Sequence, residues 1–236
     1  MAKFSMHSVR FYYDRYDPGT AATRLSVTLA AASLDPTSVT DVAEQKSAGV
    51  RQDQVAFAGW FDDGSEAMKT LVGTGAKVVS MYVGTGTGSK AYCGQAHLVD
   101  APEPVARAEL VRQEATFVVD GQLERAHVLR NKFVATATGN SGSADNGTIS
   151  GLGGTLYVHI HSLSGTGTGT ITLQDAAVAG TWAAVANMTF NPTGAGATAI
   201  GTTGTLRRFR RLIHQTGATA TTFTFSAALS PAAPGG

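Results

Sequence analysis

Apolar and polar residues alternate with a period of two through most of this chain, the pattern of strands with one face buried. In Thr155-Leu-Tyr-Val-His-Ile-His-Ser-Leu163, Leu156, Val158 and Ile160 share one face while Tyr157, His159 and His161 share the other. The same reading predicts strands over 4–13, 23–31, 54–61, 77–82, 92–99, 105–120 and 127–133. Further strands are expected over 155–163, 170–174, 182–190, 206–214 and 221–229, separated by glycine-rich turns. The chain therefore reads as all-β. Its last residues, Ser230-Pro-Ala-Ala-Pro-Gly-Gly236, read as a flexible tail.

Two stretches break the alternation. After Gln54-Val-Ala-Phe-Ala-Gly-Trp60 the pattern changes to a helical one, in which Ala67, Met68, Leu71 and Val72 fall on one side. Asp62 or Asp63 is placed to cap this helix and Gly73 to end it. A helix of two to three turns cannot stand alone, so it must lie against a sheet. The second stretch, Ser33 to Asp53, shows no clean period, and connections of that length usually serve a function or a partner.

Composition shifts near Phe133. Up to that point the chain holds 14 basic and 15 acidic residues, a formal −1; beyond it only Arg207, Arg208, Arg210, Arg211, Asp145 and Asp175 are charged, a formal +2. Seventeen of the 28 glycines follow it, in threonine-rich runs such as Gly165-Thr-Gly-Thr-Gly-Thr170. This break predicts a first domain over 1–133, a small antiparallel β-sandwich over 134–229 and a tail over 230–236. With 18 basic and 17 acidic residues in all, no overall field calls for nucleic acid or an anionic membrane. One cysteine, Cys93, excludes an intramolecular disulfide and a thiolate-built zinc site, and reads as a buried, inert thiol. The N-terminus lacks a continuous apolar segment and no apolar run is long enough to span a bilayer, so the expectation is a chain that is neither exported by a cleaved signal nor membrane-inserted.

Candidate chemistry is sparse. Gly84-Thr-Gly-Thr-Gly-Ser-Lys-Ala91 has the texture of a phosphate-binding loop, but Ser89 stands where that motif needs glycine and Ala91 where it needs a hydroxyl. A hairpin turn between Tyr82 and Tyr92 is the better reading. His159, His161 and His214 would make a three-imidazole metal site, yet no carboxylate lies nearby in sequence to orient the rings, and they read as polar, outward-facing histidines. In Arg207-Arg-Phe-Arg-Arg211, strand alternation sends Arg208 and Arg210 to one face and Arg207 and Arg211 to the other. Split in this way, the four arginines are expected to pair with acidic groups on a neighbouring domain or subunit rather than to form a nucleic-acid stripe. No nucleophile with a base, no carboxylate pair in a pocket context and no metal-ligand spacing is present, so the chain reads as a non-enzyme without cofactor or metal.

The order of features resembles a known family. Tyr16-Asp-Pro-Gly-Thr20, Leu25-Ser-Val-Thr-Leu29, the long loop ending near Gly49-Val-Arg51, Val55-Ala-Phe-Ala-Gly-Trp-Phe-Asp-Asp-Gly64 and the helix over 65–72 resemble the major tail tube proteins of long-tailed (siphovirus-type) bacteriophages. Ala91-Tyr-Cys-Gly-Gln-Ala-His-Leu-Val-Asp100 and Glu114-Ala-Thr-Phe-Val-Val-Asp-Gly-Gln122 fit the same pattern. The resemblance covers roughly residues 4–130; the rest looks like the β-sandwich domains that decorate some of these tails. It implies a tail-tube β-sandwich or barrel with one short flanking helix, six copies of which join edge to edge into rings that stack into a channel for DNA. The partners implied are further copies of the chain, a tape-measure protein, tail-tip and terminator proteins and double-stranded DNA in transit. The place implied is the virion tail, assembled in the host cytoplasm. On this reading Asp35, Asp41, Glu44, Lys46, Arg51 and Asp53 of the long loop touch the adjacent ring, and Arg207, Arg208, Arg210 and Arg211 form ion pairs between subunits or domains. A carbohydrate-binding or capsid- or tail-decorating module is the alternative, and would show exposed aromatics for sugar stacking; only Trp60 and Trp182 are on offer, both in strand-like settings.

Overall fold

A computed structural model describes residues 9–18, 22–34, 47–60, 67–102, 112–147, 149–165, 167–217 and 221–232. These form an all-β chain with antiparallel sheets and one short helical segment. The strands are β1 (Val9–Tyr13), β2 (Ala22–Thr28), β3 (Ala31–Leu34), β4 (Ser47–Arg51), β5 (Gln54–Trp60), β6 (Lys77–Val83), β7 (Lys90–Asp100) and β8 (Arg112–Ala135). They continue with β9 (Gly139–Asn140), β10 (Ala144–Asp145), β11 (Gly154–Ser164), β12 (Gly169–Ala176), β13 (Ala183–Phe190), β14 (Gly196–Thr202), β15 (Phe209–Thr216) and β16 (Thr222–Pro231). The chain groups into two compact units, residues 1–20, 77–93 and 124–236, and residues 21–76 and 94–123.

In the first unit the strand order is β1-β6-β7-β8-β16-β11-β14, with β7 and β8 each contributing one end. A second sheet, β10-β15-β12-β13 with β9 on β15, faces it. The core between them holds Leu156, Val158 and Ile160 of β11, Phe223, Phe225 and Leu229 of β16, and Ile171, Leu173 and Leu212 of β12 and β15. The first sheet also buries its opposite face. Tyr157 of β11 and Ala228 of β16 join Tyr12, Val78, Tyr82, Cys93 and Val128 in a second cluster. The two ends of the strand order meet around that cluster, where Ala197 N–H of β14 donates to Asp14 Oδ1 just beyond β1 at 3.1 Å.

This arrangement changes two sequence expectations. The composition break at Phe133 falls inside β8, which runs unbroken to Ala135 and pairs His127–Ala135 with β16. Neither compact unit divides there, because glycine and threonine enrichment reflects turn chemistry whereas a unit is set by strand pairing. Nor do residues 230–232 fray: Ser230 and Pro231 pair with β11, and Ala232 N–H donates to Gly153 O at 2.9 Å. Residues 233–236 lie outside the described residues.

The second unit is built on the ladder β2-β5-β8, whose register aligns Leu25 with Phe57 and Ala115, and Val27 with Val55 and Phe117. Val55, Phe57, Ala115 and Phe117 are buried, as period-two alternation requires. Residues 67–69 are helical, and Leu71 and Val72 continue as turns bonded to the carbonyls three residues earlier. Met68 is fully buried, while Val72 at the other end of the expected apolar face is 42% exposed. Gly73 ends the segment at φ +73°, a conformation glycine adopts without penalty. The expected caps Asp62 and Asp63 lie outside the described residues, as do the starts of the strands predicted over 4–13 and 105–120.

Candidate assembly surface

The long connection read from Ser33 to Asp53 begins and ends in strand. β3 pairs antiparallel with β4, and Gln52 N–H donates to Ala30 O at 2.6 Å, so the β2–β5 ladder passes directly into the β3–β4 ladder. Residues 22–34 and 47–60 thus make the two sides of one long hairpin whose base belongs to a sheet and whose arm is a two-stranded ribbon. Two strands alone are marginally stable in water. Of the residues assigned to this contact, Asp35, Asp41, Glu44 and Lys46 lie outside the described residues, and Arg51 ends β4.

Asp53 has a different role from the one expected. It is fully buried; its Oδ2 accepts the Leu123 N–H at 2.8 Å and its carbonyl accepts the Val119 N–H at 3.0 Å. The residue fastens the root of the arm to β8 and is closed to a contact outside the chain. A lone aspartate between two glutamines, just ahead of a strand, was the only sequence signal for it.

Beside the arm, β2 pairs with β5 on one side and with no strand on the other among the described residues. An edge strand carries backbone N–H and C=O groups ready to pair with another chain. Register sets one face of this sheet: Arg24, Ala58 and Glu114 form one row, with Ala58 buried between the two exposed charges, and Ser26, Ala56 and Thr116 form the next. Together they line a shallow groove of about 170 Å³. Small uncharged side chains thus separate one positive from one negative group.

The side chains of three of the four arginines find partners within their own unit. Arg208 makes a bidentate pair with Asp145, both nitrogens at 2.7 Å, and this bond draws the Asp145 carboxyl down to about 2. Arg210 is buried, its Nε donating to Arg207 O at 2.9 Å, with Asp175 as a nearby charge. Arg211 donates to Gln174 Oε1 at 2.9 Å and covers the Trp182 ring at 4.4 Å. The expected alternation fails because β15 starts at Phe209, leaving Arg207 and Arg208 ahead of the pleat. The partners expected on another subunit or domain are therefore supplied locally for Arg208 and Arg211.

The remaining motifs resolve into structure. The Gly84–Ala91 segment joins β6 to β7 as a turn, with Gly88 at φ +86° and its N–H on Val128 O at 2.7 Å. Cys93 is buried, and burial pushes its thiol up to about 12. His214 packs against Phe133 and Phe225, apart from the ring-stacked His159 and His161. Of the two stacked histidines, His161 is half-buried and His159 does not face outward. His159 is fully buried, because both faces of β11 are covered.

No protein-family model matches the chain, and no curated protein matches it. Among solved structures, a chain from the sheath–tube complex of an extracellular contractile injection system, PVC, in its extended state is similar over 53% of this chain and 93% of its own, at 10% identity and a TM-score of 0.42. A chain from the virion of a native gene transfer agent particle is similar over 44% and 84%, at 14% identity and a TM-score of 0.36. The SPP1 Dit protein, described as a hub of the adsorption apparatus in phages infecting Gram-positive bacteria, is similar over 92% and 98%, at 10% identity and a TM-score of 0.32.

Proposed function

We propose that this chain is a structural subunit of a phage tail: a major tail tube protein that assembles into stacked hexameric rings around a channel for DNA. The observation that carries the reading is the edge of β2, unpaired by any strand among the described residues, beside the two-stranded β3–β4 arm. An unpaired edge joins copies laterally by strand addition, and an arm reaches the next layer. The sequence resemblance over roughly residues 4–130 supports the same assignment. The rows Arg24-Ala58-Glu114 and Ser26-Ala56-Thr116, in which Arg24, Ala56 and Glu114 are exposed, suit a channel wall, since a face whose charges balance gives passing DNA no basic track to bind. A tape-measure protein inside the tube and tail-tip and terminator proteins at its ends complete the proposed partners, and the virion tail is the proposed location. The role is structural, without catalysis.

The test is negative-stain electron microscopy and sedimentation of the purified protein across a concentration series, with and without a tail-tip initiator. Proline is placed singly at Leu25 and at Ser26 of β2. Adjacent residues alternate between inward and outward N–H groups, so one variant removes a ladder bond and the other an edge donor. Rings or tubes in the wild type, lost in the edge-donor variant while its stability is kept, support the reading. A monomer under every condition overturns it in favour of a binding or decorating module.

A further inference from the structure

A buried imidazole, His159, and a half-buried one, His161, tie a tight turn into the first unit. His159 Nδ1 lies 2.7 Å from Asp14 O and His161 Nδ1 lies 2.9 Å from Arg15 O. A carbonyl only accepts, so both Nδ1 atoms carry the proton, and each neutral ring then accepts at Nε2. The donors are the hydroxyls of Ser80, at 2.8 Å from His159, and Ser226, at 2.9 Å from His161. Ser226 Oγ also accepts the Lys132 N–H at 2.8 Å, where β8 bulges against β16. The rings are stacked 9° from parallel with centroids 6.3 Å apart. The turn that they hold is tight: Tyr13 and Tyr16 exchange backbone hydrogen bonds, Asp14 N–H donates to Val78 O, and Asp14 sits at φ +51°. Aspartate adopts that conformation more readily than most residues, and here the two imidazoles hold the carbonyls on either side of the turn's corner.

We propose that His159 and His161 form an acid-released clasp, which holds the turn at Tyr13–Tyr16 against β6, β11 and β16 and opens when the rings are protonated. Protonation turns both Nε2 atoms into donors, so that each serine hydroxyl must give up its donated bond and accept instead, and it places two cations side by side in a largely buried setting. The charges around the pair do not compensate. Arg15 and Lys132 are positive, and Asp17 is already held by Lys132 Nζ at 2.6 Å. The Asp14 carboxyl accepts from Ala197, and the neighbouring Tyr12 and Tyr82 hydroxyls are pushed above their ordinary range by burial. Burial likewise draws His159 down to about 3 and lowers His161. A closed-state value below the free value of about 6.5 means that closure is complete above it and weakens as pH falls. Below about 6.5 the opening constant then rises about tenfold per pH unit through His159, and His161 acts in the same direction. From pH 7.5 to 4.5, His159 alone supplies about 100-fold. Opening would also free the Asp14–Ala197 bond that joins the two ends of the strand order, whether or not the chain forms a tube.

The experiment is hydrogen exchange of the full chain from pH 7.5 to 4.5, with protection factors corrected for intrinsic rates and the global fold followed by circular dichroism. The amides of Tyr13, Asp14 and Tyr16 should lose about 100-fold protection at pH 4.5 while those of β12 and β15 keep theirs. Unchanged protection at the turn, or loss in step with β12 and β15, overturns the clasp. The double variant His159→Asn and His161→Asn keeps a donor near each carbonyl and cannot charge; its turn should stay protected at both pH values, and opening like the wild type overturns the proposal. Should that variant not fold, imidazole chemical shifts of the wild type decide: His159 should protonate only as the turn opens, and protonation with the turn still protected overturns the clasp.

Discussion

Replacing Asp53 by alanine tests whether the root of the hairpin arm is held from within. The perturbation removes the carboxyl oxygen that accepts the Leu123 N–H at 2.8 Å, in a place where Asp53 is fully buried and Leu123 is 5% exposed. A buried donor left without its acceptor costs about 1–3 kcal/mol, and water reaches it only if the corner opens. The backbone bond from Val119 N–H to Asp53 O survives the change, which keeps the expected loss near 2 kcal/mol rather than at the top of that range. With a urea slope of about 1–3 kcal/mol/M for a domain of this kind, the unfolding midpoint should fall by about 1 M. Asp53→Asn retains a carbonyl oxygen in the same place and should lose about half as much. The assay is equilibrium urea unfolding of both variants and the wild type, followed by far-UV circular dichroism. An alanine variant within about 0.5 kcal/mol of the wild type, or an asparagine variant no better than alanine, would refute the assignment of Asp53 as the arm's anchor.

Met68→Ala empties a fully buried site under the helical segment and should cost about 2–5 kcal/mol in the same assay. Gly153→Ala places a methyl 1.8 Å from the Thr202 carbonyl oxygen at φ +83°, and should destabilise by at least about 1–3 kcal/mol, seen as a lowered thermal midpoint. Asp145→Asn, by contrast, should leave the midpoint unchanged despite the bidentate contact with Arg208, since both groups are exposed and screened. Excising residues 35–46 between β3 and β4 should leave the monomer folded but shorten or abolish tubes in electron micrographs; tubes of normal length and yield would remove the arm from the assembly mechanism.

Much of this molecule was legible in residue order. Alternation located β5, β6, β7, β11, β13 and β16 within a few residues, because the period of side chains on a strand is a property of that strand alone. The helical segment and its terminating Gly73 were legible for the same local reason. The long connection was legible as unusual but not as a hairpin arm: Ala31-Ala-Ser-Leu34 and Ser47-Ala-Gly-Val-Arg51 alternate too weakly to read as strands, and it is their pairing that makes them so. Asp53 was legible as a loop carboxylate and turned out to be an interior one.

By itself the sequence determined an all-β chain with glycine turns, one short helix and no obvious catalytic set. Only the tertiary structure decided which faces were covered and which strands met. Tyr157 and His159 are buried because residues near positions 12, 80 and 128 close over them, and β1 reaches β14 because Asp14 meets Ala197. The composition break at Phe133 likewise vanished into a strand, since pairing with β16 holds β8 together on both sides of it. Alternation states that a strand has two faces; what lies against each depends on partners more than a hundred residues away, whose contact no local pattern encodes.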